Sequence, residues 1–212
     1  MATKKTKKEI SIEDAPKLFY IFYNQERWDN WLKSLKEADW EGDETSEEIP
    51  EGFRLLDGLS EDITLAIIKI IRLYQNKRLT LAESQNKIRD VEAIIMSSVN
   101  DDVLAEIIGS LQISMMVLFS AAQKYLEENC PATEIIKDLV QDGRKIVDKD
   151  SEKAFDIASS IGSAVINGAT CCGKYVKDTD EPTLFDEWLV EVERIFDACK
   201  SLKDFDEVAG EA

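Results

Sequence analysis

The chain has 212 residues, enough for one domain that buries a sizeable core. Its 43 acidic and 26 basic residues give a formal charge of −17, which disfavours nucleic acid and anionic membranes as partners. The absence of histidine excludes His-dependent catalytic triads and His-ligated metals. The four cysteines lack zinc-site spacing and are too few for a disulfide scaffold, so we expect reduced thiols, a cytoplasmic location and no cofactor.

Residues 1–10 are basic and are not followed by the apolar run of a signal peptide, so a disordered tail is predicted there. Residues 11–203 are predicted to form a single helical domain. Within it, residues 41–52 (EGDETSEEIPEG) are typical of an acidic linker. Residues 204–212 are predicted to fray.

Apolar residues recur with helical rather than strand spacing, which predicts an all-α bundle of about six or seven helices. The predicted helices share a polar residue or an acidic turn at the start, and they span about 24–39, 61–76, 80–97, 100–128, 133–147, 151–176 and 183–202. Ser60 and Thr133 are predicted caps, and Thr80 with Glu83 matches a capping box.

Two windows of the chain, residues 107–123 and 157–173, carry no charge. A helix exposed on one face normally carries charges there, so both windows are predicted to be buried on nearly every side and to form the centre of the bundle. Each is long enough to approach a bilayer span, but their Ser and Asn residues and acidic flanks argue against a membrane hairpin. Small residues such as Gly162 are expected to contact bulky ones such as Met115.

Carboxylates with helical spacing offer the one route to metal chemistry, because Mg²⁺ prefers oxygen ligands. In each candidate group the residues lie within five positions of one another: Asp101, Asp102 and Glu106; Asp186, Glu187 and Glu191; Glu44 and Glu47; Glu48 and Glu51. Exposed surface carboxylates are the alternative in so acidic a chain. No phosphate-binding glycine loop is present, and the adjacent Cys171 and Cys172 are expected to be buried structural thiols.

Aromatic residues crowd the region from 19 to 40. Aromatic and arginine side chains dominate binding hot spots, so Tyr23, Arg27, Trp28 and Trp31 form the candidate partner-docking site. Closure of one end of the core is the other interpretation of the same aromatic residues.

Three segments, Phe22–Leu35, Leu79–Ile95 and Leu111–Leu126, resemble in order an archaeal family that is known only as a domain of unknown function. Its members occur in methanogens and haloarchaea. The most specific element is the pattern of Tyr23, Arg27, Trp28 and Trp31. The resemblance implies an archaeal cytosolic protein and supplies no activity or catalytic residues.

The sequence therefore favours a non-enzymatic cytosolic protein-binding or adaptor protein with an unknown protein partner, and homodimerisation is a further possibility. The alternative is an all-α enzyme that uses carboxylates and Mg²⁺, such as a nucleotide phosphohydrolase. Nucleic acid and membranes are not expected as partners.

Overall fold

A computed structural model describes residues 23–41, 48–132, 135–170 and 182–203. In these ranges the chain is all-α, with seven helices and no strand. The helices in chain order are α1 (Gln25–Glu37), α2 (Glu51–Gln75), α3 (Leu81–Ile95), α4 (Asp102–Leu126), α5 (Ile136–Ile146), α6 (Ser151–Ile166) and α7 (Leu184–Ser201). The predicted single-domain helical bundle is confirmed.

Side-chain caps fix most helix starts where the sequence predicts them. The Asn24 side chain accepts from the Arg27 backbone N–H at the start of α1. Thr80 and Glu83 form the predicted capping box of α3. Each such cap satisfies a backbone N–H that the first helical turn leaves without a partner. Thr133, the predicted cap of α5, lies outside the described residues.

The second helix begins about ten residues earlier than the sequence predicts. Ser60 is not a cap: it lies inside α2, and its hydroxyl donates to the Leu56 carbonyl oxygen at 3.2 Å. Leu59 is fully buried and continues the apolar stripe towards the N-terminus, so burial outweighs the two glycines of the segment. At the start of α2, the Gly52 N–H donates to the backbone carbonyl oxygen of Asp39 at 2.8 Å. The predicted linker is therefore shorter than 41–52.

The bundle is centred on α4 and α6, as predicted from the two uncharged windows. Helix α6 lies against α4, α5 and α7, while α4 also contacts α2 and α3. Helix α1 covers one side of α2, α3 and α4. The second half of α6, from Ile161 to Ile166, is buried throughout. Burial on nearly every side is thus confirmed for α6.

Helices α4 and α6 are in close contact at a pair of small residues. A Cβ atom added to Gly162 would lie 2.7 Å from the Cβ of Ala121, which is closer than such atoms can approach. Gly162 therefore faces a small residue of α4. Met115, the bulky residue expected to contact Gly162, is not among its nearest neighbours. Small residues on both helices let the two backbones come together.

Helix α6 ends at Ile166, ten residues before the predicted end near Val176. Gly168 adopts a φ of +102°, and the Ala169 N–H donates back to the Ala164 carbonyl oxygen at 2.9 Å. This is the glycine-based stop that commonly closes helices. The second uncharged window is consequently not one helix. Cys171 and Cys172, the tails at 1–10 and 204–212, and residues 42–47 of the predicted linker lie outside the described residues.

Candidate docking groove between helices α2, α4 and α7

The outward face of α4 carries no charge between Glu106 and Lys124, and part of that stretch is exposed. Ile113 is 51% exposed and Met116 43% exposed, and Ser110 lies on the same side. The prediction that this window is buried on nearly every side is therefore wrong for α4. An uncharged helix is not always a buried one, because its exposed face can carry apolar side chains instead of charges. Contiguous apolar side chains at the surface commonly mark an interaction site.

A groove of about 380 Å³ runs between this face of α4 and the neighbouring helices α2 and α7. Its exposed apolar side chains come one from each helix: Phe53 is 52% exposed, Ile113 51% and Leu184 37%. Its polar side chains are two carboxylates and a guanidinium on α7, a carboxylate on α2, and hydroxyls on α2 and α4: Glu187, Glu191, Arg194, Asp57, Ser60, Ser110 and Ser114.

Glu191 is the buried charged group of this groove. It is only 7% exposed, and its Oε2 atom is buried without a hydrogen-bond partner. The Oε1 atom lies 3.5 Å from Arg194 Nε, an ion-pair distance that lacks hydrogen-bond geometry. A buried carboxylate oxygen with no donor costs free energy comparable to a lost hydrogen bond. Glu191 is therefore an incompletely satisfied anion on the inner wall of the groove.

Arg194 is shared between two carboxylates from different helices. Its terminal nitrogen lies 2.5 Å from Asp57 on α2, and its Nε faces Glu191 on α7. The strong contact is thus with Asp57, so Arg194 compensates the Glu191 charge only in part.

Burial raises the pKa of Glu191 from 4.5 to about 7. Desolvation is the main cause, and the nearby Asp57 charge adds to it while Arg194 opposes it. The direction agrees with the geometry, since a well-paired carboxylate would have a lowered pKa. Glu191 therefore changes charge near neutral pH in a chain that has no histidine.

The four side chains of the sequence-predicted docking site lie together at the start of α1, but they differ in accessibility. Trp28 is 1% exposed and Tyr23 8% exposed, so both belong to the core of this conformation. Trp31 is partly buried, and the side chain of Arg27 is 47% exposed. A partner could reach Arg27 and the edge of Trp31, but not Trp28. Whether this surface binds a partner stays a prediction.

Asp62 on α2 explains the geometry of that region. It forms a two-point contact with the Arg27 guanidinium, and it accepts from Trp31 Nε1 at 2.9 Å. Paired hydrogen bonds of this kind hold a planar guanidinium in one orientation. Arg27 and Trp31 thus anchor α1 to α2.

Two of the carboxylates suggested for metal binding cap helices and form ion pairs in the structure. Asp101 caps α4 and pairs with Lys36 at 2.7 Å, and Asp186 closes the α7 capping box and pairs with Arg144 at 2.7 Å. Among the described residues, no three His, Cys, Asp or Glu side chains are placed to hold a metal ion. The predicted Glu44 and Glu47 pair lies outside those residues.

Helix α4 is long and apolar enough to span a membrane by length and composition, and it is the one such helix in the described part of the chain. The central helix of a globular bundle meets the same two criteria. Its contacts with α2, α3, α6 and α7 are those of a core helix.

Sequence reasoning missed the groove because its parts come from distant segments. Asp57 and Glu191 are 134 positions apart by their numbers, and no local pattern links them. One local signal is present in α4. Val103, Glu106, Ser110 and Ile113 follow one another at helical spacing, and this face mixes polar and apolar residues, which is less typical of a buried face.

A family model described as an uncharacterised protein conserved in archaea (DUF2150) matches residues 21–208. No curated protein matches the chain, and no solved structure matches it either. The predicted resemblance is confirmed for the family, while its occurrence in methanogens and haloarchaea stays a prediction. The matched residues include all seven helices and the whole groove. The chain belongs to this family of uncharacterised archaeal proteins.

Proposed function

We propose that the protein is a cytosolic, non-enzymatic binding protein that docks a protein partner on the groove between α2, α4 and α7. The observation that carries the proposal is the uncharged, exposed face of α4 in a chain of which 33% is charged. Interface centres are poor in charge and rich in apolar side chains, and Phe53, Ile113 and Leu184 supply these from three helices.

The four residues at the start of α1 are a second candidate surface within the same function. Arg27 is the accessible member, but its guanidinium is already paired with Asp62. A partner would have to compete with that contact. The groove is favoured because its apolar side chains are already exposed, so a partner can reach them without breaking an existing contact.

Site-specific photo-crosslinking tests the proposal. A photoreactive residue at position 113 should crosslink to a protein partner in the native archaeal cytosol, whereas one at Leu81 should not. Leu81 is a matched control because it is an apolar residue, 42% exposed, on α3 and outside the groove. The partner identified by mass spectrometry should then bind Leu81→Asp normally and Ile113→Asp at least tenfold more weakly.

Both substitutions are at exposed positions, so each should change stability little, and circular dichroism checks that the variants fold. Equal crosslinking from both positions, or unchanged binding of Ile113→Asp, would contradict the proposal.

A further inference from the structure

The polar atoms of the groove indicate what kind of partner it fits. Glu191 is more than nine-tenths buried, lines the groove, and has one oxygen without a donor. An ionised carboxylate accepts up to about four hydrogen bonds, and burial without them is costly. A donor supplied from the groove would relieve that cost, and a cationic donor would relieve most of it.

The cations among the described residues do not supply that donor to Oε2. In that part of the chain Arg194 is the one cation that lines the groove, and its terminal nitrogen is held by Asp57 at 2.5 Å. Three carboxylates therefore face one guanidinium there: Asp57, Glu187 and Glu191. The local excess of negative charge has the same sign as the whole chain, so the groove selects for a cation.

The apolar rim shows that the cation should be part of a larger group. A volume of about 380 Å³ holds several side chains rather than a single ion. Phe53, Ile113 and Leu184 offer apolar surface on three sides. Lysine and arginine carry a long aliphatic stem beneath a charged head, and this shape suits apolar walls around an inner carboxylate.

We propose that the groove binds a partner peptide segment in which one Lys or Arg side chain, flanked by apolar residues, pairs with the Glu191 carboxylate. This inference rests on the function proposed above and specifies the chemistry of the partner. The occupant is a segment of another protein that is less acidic than this chain.

Two other occupants fit the same surface less well. A second copy would bring a further formal charge of −17 and its own three groove carboxylates to the interface. A membrane surface would meet Asp57 and Glu187 beside the apolar rim, and anionic headgroups would be repelled. Both occupants are outcomes that the test below can reveal.

Selection from a displayed library of random peptides tests the inference without a known partner. The full chain is the target, and Ile113→Asp is the counter-target that removes binders outside the groove. We expect the selected peptides to share a Lys or Arg at one fixed position between apolar residues. The same selection against Glu191→Gln should lose the enrichment of that basic residue.

A consensus peptide from this selection then gives the quantitative test. It should bind Glu191→Gln at least tenfold more weakly than the unmodified chain, while Glu193→Gln binds normally. Glu193 is the matched control because it lies on the same helix and does not line the groove. Replacing the basic peptide residue with norleucine should weaken binding to the unmodified chain by the same factor. Binding of the norleucine peptide should then be insensitive to Glu191→Gln. A purely structural role of Glu191 would not produce that insensitivity.

The outcomes separate the two proposals. Groove-dependent peptides without a shared basic residue would overturn this inference and leave the proposed function standing. If no peptide depends on Ile113, both fail. If the chain sediments as a dimer and Ile113→Asp sediments as a monomer, the occupant is a second copy. If the chain co-sediments with phosphatidylcholine vesicles and Ile113→Asp does not, the occupant is a lipid surface. Either result would overturn the inference.

Discussion

The substitution Glu191→Gln should stabilise the protein at alkaline pH and do little at acidic pH. Gln keeps the shape of the protonated side chain and removes the charge that burial penalises. The folded pKa of Glu191 is about 7, against 4.5 for the ordinary group. The folded state therefore binds the proton more tightly than the unfolded state, so stability falls as pH rises through this window.

The size of the effect follows from the difference between the two pKa values. Each pKa unit corresponds to about 1.4 kcal/mol, so the full penalty for the charged form is about 3 kcal/mol and is reached above pH 7. At pH 5 most of the penalty is still absent, because the folded protein keeps its proton. Between pH 5 and pH 8 the advantage of Glu191→Gln should therefore grow by about 2 kcal/mol.

Urea unfolding at pH 5 and pH 8 measures this change directly, with Glu193→Gln as the control for loss of a charge on the same helix. Glu193 is a matched control because it lies on the same helix and does not line the groove. A stability difference between Glu191→Gln and the unmodified chain that stays constant across this range would refute the reasoning. It would mean that Glu191 is adequately solvated or paired.

Three further predictions concern packing and polar contacts. Gly143→Ala should cost about 1–3 kcal/mol in urea unfolding, because the new Cβ would overlap the Phe185 ring; equal stability would show that the ring can move. Asp62→Ala removes the acceptor of Trp31 Nε1 and should cost about 1–3 kcal/mol, with partial rescue by Asn; an unchanged midpoint would contradict the anchoring role. Thr80→Ala removes the capping box of α3 and should lower stability by about 1 kcal/mol, measured as a lower Tm; an unaltered Tm would mean that the cap is redundant.

The helices could largely be predicted from sequence because their causes are local. The capping box at Thr80 and the apolar period of α7 depend on residues a few positions apart, and both appear in the structure as predicted. The start of α2 was missed because Gly52 and an acidic run favour a turn. The ring of Trp40 lies where a side chain at Gly52 would be, so the glycine serves tertiary packing there.

The groove could not be predicted because its properties depend on which helices meet. Glu191 is one of 43 acidic residues. Trp188 and Ile195 lie at helical spacing from it, but the sequence does not show which helices close over that face. The charge-free window around Ile113 is evident in the sequence, but the same pattern fits a helix covered by neighbours and one with an exposed apolar face. The distinction requires knowing that α2 and α7 leave that side of α4 open.

The enclosure of α6 by three helices has a consequence for how the bundle opens. Amide hydrogens from Ile161 to Ile166 reach solvent only when α4, α5 or α7 separates, so they should exchange near the rate set by global unfolding. Helix α1 lies on one side of the bundle and packs mainly against α2, α3 and α4, so its amides can exchange through partial opening. Helix α1 would then unfold before α6. The order in which amides exchange would show which helices unfold together as one cooperative unit.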